Sequence, residues 1–401
     1  MACSTDSATA PAGTVITKIG TDPTSVVAGA SFGDSIRVRV ADGAGNPKAG
    51  VSVTFAVAAG GGNVTPAIVL TDANGKAAAK FITGITVGAN TATAVVTGLA
   101  PVTFSTTTVA AATTLVWASV VSGTAQALRA VWGNSASDVW TVGDNGTILH
   151  FNGTSWSSVS SGTTQWLQGV WGSSGTDVWV VGYSGTILHY NGTSWSSVTS
   201  GSNASLAAVW GTSASDVWAV GVDNIGGKIL HYNGTSWSSA GSGISAEFLG
   251  VWGTSASDVW AVGADGYGGA AYHYNGTNWS NVSSATYIPL TAVWGTSASD
   301  VWAVGAFGYR IQGGAFHYNG TTWSLSASIG TTQALFGVWG TSASDVWAVG
   351  YSGQISHYNG TRWSSVSTGA VRNLTAVWGS SPSDVWAVGA SGTILHGSSA
   401  P

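Results

Sequence analysis

The sequence predicts an all-β chain, a β-sandwich followed by a seven-bladed β-propeller, and three observations carry that expectation. A thirteen-residue stretch, Val251-Trp252-Gly253-Thr254-Ser255-Ala256-Ser257-Asp258-Val259-Trp260-Ala261-Val262-Gly263, has seven close copies. Their aspartates stand at 138, 177, 216, 258, 300, 345 and 384, in steps of 39, 39, 42, 42, 45 and 39 residues. A period near 40 marks a propeller or a solenoid. Each unit then divides into four short strands: 249–253, 259–263, 271–274 and one starting at Trp279. The third runs into Asn275-Gly276, a strong hairpin signal because both turn positions are expected at positive φ. Four antiparallel strands in about 40 residues describe a propeller blade.

The third observation concerns the ends of the array. The last unit, 374–396, holds strands one to three and stops at Gly397-Ser398-Ser399-Ala400-Pro401. Its fourth strand is found ahead of the first unit, at 114–124, where Thr114-Leu115-Val116-Trp117-Ala118-Ser119-Val120 parallels Thr154-Ser155-Trp156-Ser157-Ser158-Val159. The strand around Trp117 is therefore expected to complete the last blade and close the ring. Blade starts fall near 128, 167, 206, 249, 290, 335 and 374, and the propeller occupies 110–401.

Residues 13–109 have a different texture, with no Trp and no repeat. Ile36-Arg37-Val38-Arg39-Val40 and Val51-Ser52-Val53-Thr54-Phe55-Ala56-Val57 alternate at period two across the turn Asp42-Gly43-Ala44-Gly45-Asn46-Pro47. Further strands are expected at 68–71, 76–83, 91–97 and 102–108, and about seven strands in about 100 residues predict a sandwich. Asp42, Gly45-Asn46-Pro47, Gly50-Val51-x-Val53-Thr54-Phe55, Thr71-Asp72-x-x-Gly75-Lys76-Ala77 and Gly88-x-Asn90 together resemble bacterial Ig-like domains of the invasin and intimin type. That resemblance implies a stalk or spacer on a surface protein. A short join, Ala110-Ala111-Ala112-Thr113, leads on to the strand containing Trp117.

Composition narrows the function classes. Charged residues make up 7% of the 401-residue chain, the net charge is −5, and no basic block occurs, so nucleic acid is not an expected partner. No apolar run reaches the 18 or so residues of a membrane helix. The single cysteine, Cys3, excludes an internal disulfide. Residues 1–12 are expected to be a tail. Its start, Met1-Ala2-Cys3-Ser4, resembles that of a mature bacterial lipoprotein, which would make Cys3 a lipid anchor; the plainer reading is a free thiol on a disordered terminus. With a surface rich in Thr, Ser and Gly, an extracellular or bacterial cell-surface location is expected.

The repeat motifs Ser-x-Ser-Asp-Val-Trp-Ala-Val-Gly and Ile-Leu-His-Tyr-Asn-Gly-Thr-Ser-Trp resemble bacterial propellers with Asp-box-like or tectonin-like blades, a group that includes lectins, glycan-processing enzymes and assembly factors. In glycosidase-type Asp boxes the Trp follows the Asp by about five residues; here it follows by two, as in Asp138 and Trp140. The repeated residues are expected to be structural. Three indoles per blade bury roughly 600 Å², about 15 kcal/mol gross, and the blades have few other large side chains for a core. Each Asp suits a turn whose carboxylate accepts backbone N–H groups, and one carboxylate per blade is too few for calcium. The seven His, at 150, 189, 231, 273, 317, 357 and 396, share one position on strand three, are expected to be buried with local partners, and do not converge on a metal. The Asn-Gly-Thr sites at 152, 191, 233, 275, 319 and 359 also read as glycosylation sequons.

Function is expected where the repeats differ. Loops between strands two and three, and those joining blades, share one face, and blades three to five lengthen the former. Asp223, Asp265, Tyr267, Tyr309 and Arg310 lie in those loops, with Glu247, Phe248 and Tyr287 in the adjoining interblade segments. These eight residues are the expected ligand-binding set; neutral drift of duplicated loops is the alternative. No catalytic set, phosphate loop, cofactor motif or metal cluster is evident. A sialidase-like site would need converging arginines, and the propeller offers only Arg129, Arg310, Arg362, Arg372 and the lone Glu247. The reading is a non-catalytic, cofactor-free recognition or adhesion protein binding a surface glycan or protein; the alternative is a structural or protein-interaction scaffold capable of self-assembly.

Overall fold

A computed structural model describes residues 13–399 apart from 28, 34, 85, 110–114, 242–243, 283–286, 308–311, 327–328 and 330–332. Its regular structure is almost entirely strand, and it divides into two compact units, 1–112 and 113–401. No helix among the described residues is long and apolar enough to cross a membrane. The tail with Cys3 and the 110–113 join lie outside the described residues.

The first unit holds nine strands: β1 Val15–Ile19, β2 Ser25–Val27, β3 Ile36–Ala41, β4 Ser52–Ala59, β5 Gly62–Thr65, β6 Ile68–Leu70, β7 Lys76–Thr83, β8 Gly88–Val95 and β9 Val102–Val109. They form a four-stranded sheet, β1-β3-β7-β5, and a five-stranded sheet, β2-β9-β8-β4-β6. Period-two alternation drives both into one core, where Ile36, Val38, Val40, Ala77 and Phe81 meet Val53, Phe55, Ala92 and Phe104. The strands that the sequence pattern did not reveal, β1, β2 and β5, are short or largely exposed, so their residues do not alternate. Two Asx turns shape the connections. Asp42 Oδ1 accepts the N–H groups of Ala44 and Asn46, and Asp72 Oδ1 accepts those of Asn74 and Lys76.

In the second unit, seven four-stranded antiparallel sheets follow the repeats. The fourth is typical: Glu247–Ser255, Asp258–Asp265, Gly268–Tyr274 and Trp279–Asn281. In the last sheet the outer strand is β10, Leu115–Val120, which pairs antiparallel with Ile394–Ser399 from Leu115 opposite Ser399 to Val120 opposite Ile394. Seven apolar cores lie between successive sheets. One of them joins Trp386, Val388 and Ile394 of the last sheet to Leu128, Val131, Val139 and Leu149 of the first. The invariant glycine after the strand-one Trp makes this packing possible. A Cβ on Gly172 would stand 2.6 Å from the Trp132 ring of the preceding blade, and one on Gly133 would stand 2.4 Å from the Trp378 ring.

Two details depart from the sequence reading. In the Asn-Gly turns only the glycine takes positive φ (Gly153 at 90°, Gly276 at 90°). The asparagine instead accepts two backbone N–H groups, as Asn152 Oδ1 does from Thr154 and Ser155, and so builds a four-residue loop. The long connections of blades three to five are strand over most of their described residues. Strands two and three continue as a paired ribbon to Asp223 opposite Gly226, Asp265 opposite Gly268 and Phe307 opposite Gln312. In blades one, two, six and seven a single 3-10 turn takes that place, with Asn145, Ser184, Ser352 or Ser391 at φ 53–56°.

The interblade cores leave many buried indole N–H groups without a protein acceptor among the described residues, Trp195 and Trp323 included. Trp363 differs, because its Nε1–H donates to Ser326 Oγ at 3.2 Å, and the equivalent of Ser326 in the first blade is Val159. Ser326→Ala is expected to cost about 1 kcal/mol, read as a lowered midpoint in chemical denaturation. Ser157→Ala, at an exposed hydroxyl, should leave the midpoint unchanged.

Candidate functional site

Two polar arrangements occur on the propeller, one repeated and one not. The repeated one brings together the Asp and His of each blade. His150 Nε2 lies 2.8 Å from Asp138 Oδ1, and in the other six blades the same pair is at 2.6 Å. Because the carboxylate only accepts, Nε2 carries the proton. The second carboxylate oxygen accepts a strand-one hydroxyl, from Ser173, Thr212, Thr254, Thr296, Thr341 or Ser380. The strand-two Trp stacks on the imidazole, with centroids 4.0 Å apart for Trp140 and His150 and 3.9 Å for Trp386 and His396.

The Asp is thus mainly an acceptor of side-chain donors, which corrects the expectation of a backbone turn cap. Hydroxyl and imidazole both donate to the carboxylate, so the imidazole does not accept from the hydroxyl as the base of a Ser-His-Asp triad would. Burial pushes the Asp300 carboxyl up, but its hydrogen bonds from His317 and Thr296 and the nearby imidazole outweigh that and hold it below the ordinary value. Asp384 is lowered in the same way by His396 and Ser380 against the same burial effect.

The second arrangement lies on the face that carries the strand-two-to-three connections and the interblade segments. Every first strand has a β-bulge one residue after its buried Leu or Phe. In the first blade Leu128 pairs with Gly143 and Ala130 with Val142, which leaves Arg129 unpaired. The same register shift leaves Gln168, Ala207, Leu249, Thr291, Phe336 and Thr375 unpaired in the other blades. A bulge re-aims its side chain, and all seven line the mouth of one central channel whose walls are the inner strands. Below the mouth, seven valines, from Val131 to Val377, are 7–8% exposed, a uniform apolar collar.

Arg129 is held at this mouth by a bidentate pair with Asp144 (2.7 and 2.9 Å) and lies 5.4 Å from the Trp166 ring. Its hydrogen bonds to Asp144 strengthen its hold on the proton, raising the guanidinium pKa against its burial. Trp166 in turn packs on Tyr183 at 5.5 Å, and both rings are 40% exposed. The sequence reading did not single out these residues. A signal existed, because three Trp in each of seven blades account for 21 of the 22, and Trp166 is the one outside the pattern.

The expected binding residues that the structure describes belong to the connections and strand ends of this face but do not gather. Tyr267 is 93% and Tyr287 83% exposed. Asp265 caps the N–H groups of Tyr267 and Gly268, and Asp223 caps that of Ile225, so each acid holds an apolar residue out at a ribbon tip. Asp223 also lines a 380 Å³ cleft with Ile225, Lys228 and Ile244, its carboxylate 3.8 Å from Lys228 Nζ. Glu247 is exposed at the start of its strand. Phe248 is a correction: it is fully buried, because it occupies the position of Leu128 opposite Gly263, and the bulge turns its neighbour Leu249 to the surface instead. Tyr309 and Arg310 lie outside the described residues. Among the described residues no cluster of His, Cys, Asp and Glu could hold a metal ion.

Comparison with known proteins identifies the architecture as a multi-bladed β-propeller. No family model and no curated protein matches the chain. Among solved structures, YCF48 from Cyanidioschyzon merolae matches with a TM-score of 0.57 at 16% identity, covering 70% of this chain and 98% of that one. YCF48 bound to a D1 peptide matches with the same score and identity over 94% of its length. The WD40 propeller domain of Doa1 gives 0.59 at 13% identity, covering 72% and 98%. Virginiamycin B lyase from Staphylococcus aureus gives 0.58 at 9%, covering 71% and 98%.

The lowered Asp300 and Asp384 carboxyls make stability depend on pH in one direction. Their contribution is complete above the unfolded carboxylate range and is lost as pH falls through the lower folded values. The melting temperature should stay level from about pH 7 to about pH 5 and fall below about pH 4. Asp384→Asn should cost about 1–3 kcal/mol at neutral pH and flatten the acid limb, as followed by circular dichroism.

Proposed function

We propose that the chain is a non-catalytic recognition protein of a bacterial surface or the extracellular medium, with a propeller head that docks a protein partner through its variable face. The carrying observation is an asymmetry of exposed apolar side chains. Of the ten large ones among the propeller's described residues, Val121, Trp166, Tyr183, Ile225, Leu249, Tyr267, Tyr287 and Val371 belong to that face, and the other two, Val116 and Leu325, lie on outer strands. The opposite face, with its repeated Ser-Asp and Asn-Gly-Thr turns, has none among the described residues. Large exposed apolar groups confined to one surface mark an interaction site. The propeller of YCF48 bound to a D1 peptide supports the protein-binding version by analogy of fold.

The remaining parts of the reading rest on narrower support. The β10 pairing with Ile394–Ser399 supports a ring fastened by its N-terminal strand. The two-sheet unit, with Asx turns at the Asp42 and Asp72 motifs, supports an Ig-like stalk. Use of every repeated Asp, His and Ser or Thr in one structural network supports the absence of catalysis. A glycan-binding version draws on clefts of 550 and 680 Å³ beside the interblade loop at 161–163, whose linings carry hydroxyls and an amide and no ionised side chain. A lipid anchor at Cys3 is part of the surface version and is read directly by mass spectrometry of protein from a bacterial host.

The test pairs a random-peptide display selection with a glycan array, each on wild type and a Trp166→Ala, Tyr267→Ala double variant. Selected peptides should bind the variant about tenfold or more weakly. Array signal with no peptide selection would favour the glycan version. Silence in both, with a defined oligomer in light scattering, would favour a self-assembling scaffold.

A further inference from the structure

Eight Asn-Gly pairs occur in the chain: at Asn74, at Asn145 and in the six Asn-Gly-Thr turns. The turns need both residues. The asparagine caps the loop, and the glycine stands at φ 87–90°, where a Cβ on Gly153 would lie 2.8 Å from Ser137 Cβ in the Ser-Ala-Ser-Asp loop. The same pair is chemically vulnerable. Asparagine is among the thermolabile residues, and a following glycine puts no side chain in the way when its backbone nitrogen approaches the asparagine Cγ.

Two features decide whether a given pair reacts: whether that nitrogen is free, and whether the charge that develops on Oδ1 is stabilised. In all six turns the N–H groups two and three residues on donate to Oδ1 at 2.9–3.1 Å, as those of Thr154 and Ser155 do to Asn152. Two backbone donors on one carbonyl oxygen have the form of an oxyanion hole. At Asn359 the Thr361 hydroxyl adds a third donor at 2.8 Å. The glycine N–H of these turns has no protein acceptor among the described residues.

The other two pairs are arranged in the opposite sense. Gly75 N–H donates to Asp72 O (2.9 Å) and Gly146 N–H to Gln165 O (2.8 Å), so both nitrogens are tied down. Asn145 uses its side-chain N–H on Gln126 Oε1 (2.9 Å), and neither Asn74 nor Asn145 has backbone donors on Oδ1 among the described residues. Exposure does not separate the two groups. Asn74 and Asn145 are exposed, as are five of the six turn asparagines, and Asn359 is half-buried.

We propose that the six turns are self-modification sites that convert asparagine to aspartate and isoaspartate, and that the same fold protects Asn74 and Asn145. The glycine nitrogen bonds to Cγ, the Cγ–Nδ2 bond breaks, and ammonia leaves with the proton that the nitrogen gave up. One water then opens either C–N bond of the cyclic imide; nothing is oxidised or reduced. Opening one bond gives aspartate, and opening the other gives isoaspartate, whose main chain is a methylene longer. Each conversion adds one negative charge to a chain of net charge −5, always on the face of the Ser-Ala-Ser-Asp loops. Isoaspartate also lengthens the turn that Gly153 packs against Ser137.

The experiment incubates the full chain in mildly alkaline buffer, native and in urea, then digests it at acid pH and maps the peptides by mass spectrometry. Each conversion is read as an amide exchanged for a carboxyl group, and circular dichroism checks that the native sample stays folded. In the native chain the six turn sites should convert about tenfold or more faster than Asn74 and Asn145. In urea that difference should collapse, because all eight share one dipeptide. Equal native rates at all eight, or faster conversion at Asn74 and Asn145, overturn the proposal. So does silence at the native turns while the urea sample converts, and so does a bias that survives in urea, since sequence and not the fold would then set it.

Discussion

The propeller depends on how the strand-two tryptophan is held. On one side Trp140 stacks on His150 of its own blade, whose Nε2–H is fixed by Asp138; on the other it meets Tyr190 and Trp195 of the next blade, at 5.1 and 5.5 Å. The hydrogen-bond network therefore orients the ring that makes the interblade core. An indole turned away from its neighbour would leave Val170 and Leu188 without the surface that buries them. The arrangement recurs at the seam, where Trp386 meets Phe151 and Trp156 of the first blade. In a blade with so few other large side chains, a local hydrogen-bonded pair thus becomes a condition for long-range packing.

That dependence accounts for the division between the faces. The Asp of every blade, with the hydroxyl that feeds it in six and the Asn-Gly-Thr turn in six, belongs to one side, and the Asp fixes the His on which the Trp stacks. The other side carries only connections, which are free to be a single 3-10 turn, as at Asp144–Gly146, or a paired ribbon, as at Asp258–Asp265 with Gly268–Tyr274. Apolar groups accumulate where structure does not forbid them. Asp223 and Asp265 serve the tips of two of these ribbons by tying down backbone N–H groups, so the projecting Ile225 and Tyr267 are presented on an ordered turn.

The sequence made the period and the four strands per blade legible, because each rests on local pattern: alternation and Gly turns. What it concealed was pairing across strands. Asp258 and His273 are fifteen residues apart and carry no mutual signal, so one was read as a turn cap and the other as a locally satisfied core residue, yet they form one unit at 2.6 Å. Phe248 and Leu249 were confused for a related reason. A bulge breaks strict alternation, and without it the side of the strand that each residue faces is misjudged by one position. The strands missed in the first unit, β1, β2 and β5, are those whose burial comes from neighbours and not from their own periodicity.

The bulge also bears on how such a molecule changes over generations. Seven sites, each excluded from the ladder, point into one opening while their neighbours in sequence are occupied with packing. Substitution there alters the lining of the opening and leaves the hydrogen-bonded frame intact, so the usual conflict between new binding and retained stability is relaxed. Duplication of a blade supplies the frame ready-made, and a single codon in each copy then suffices to diversify what the ring selects.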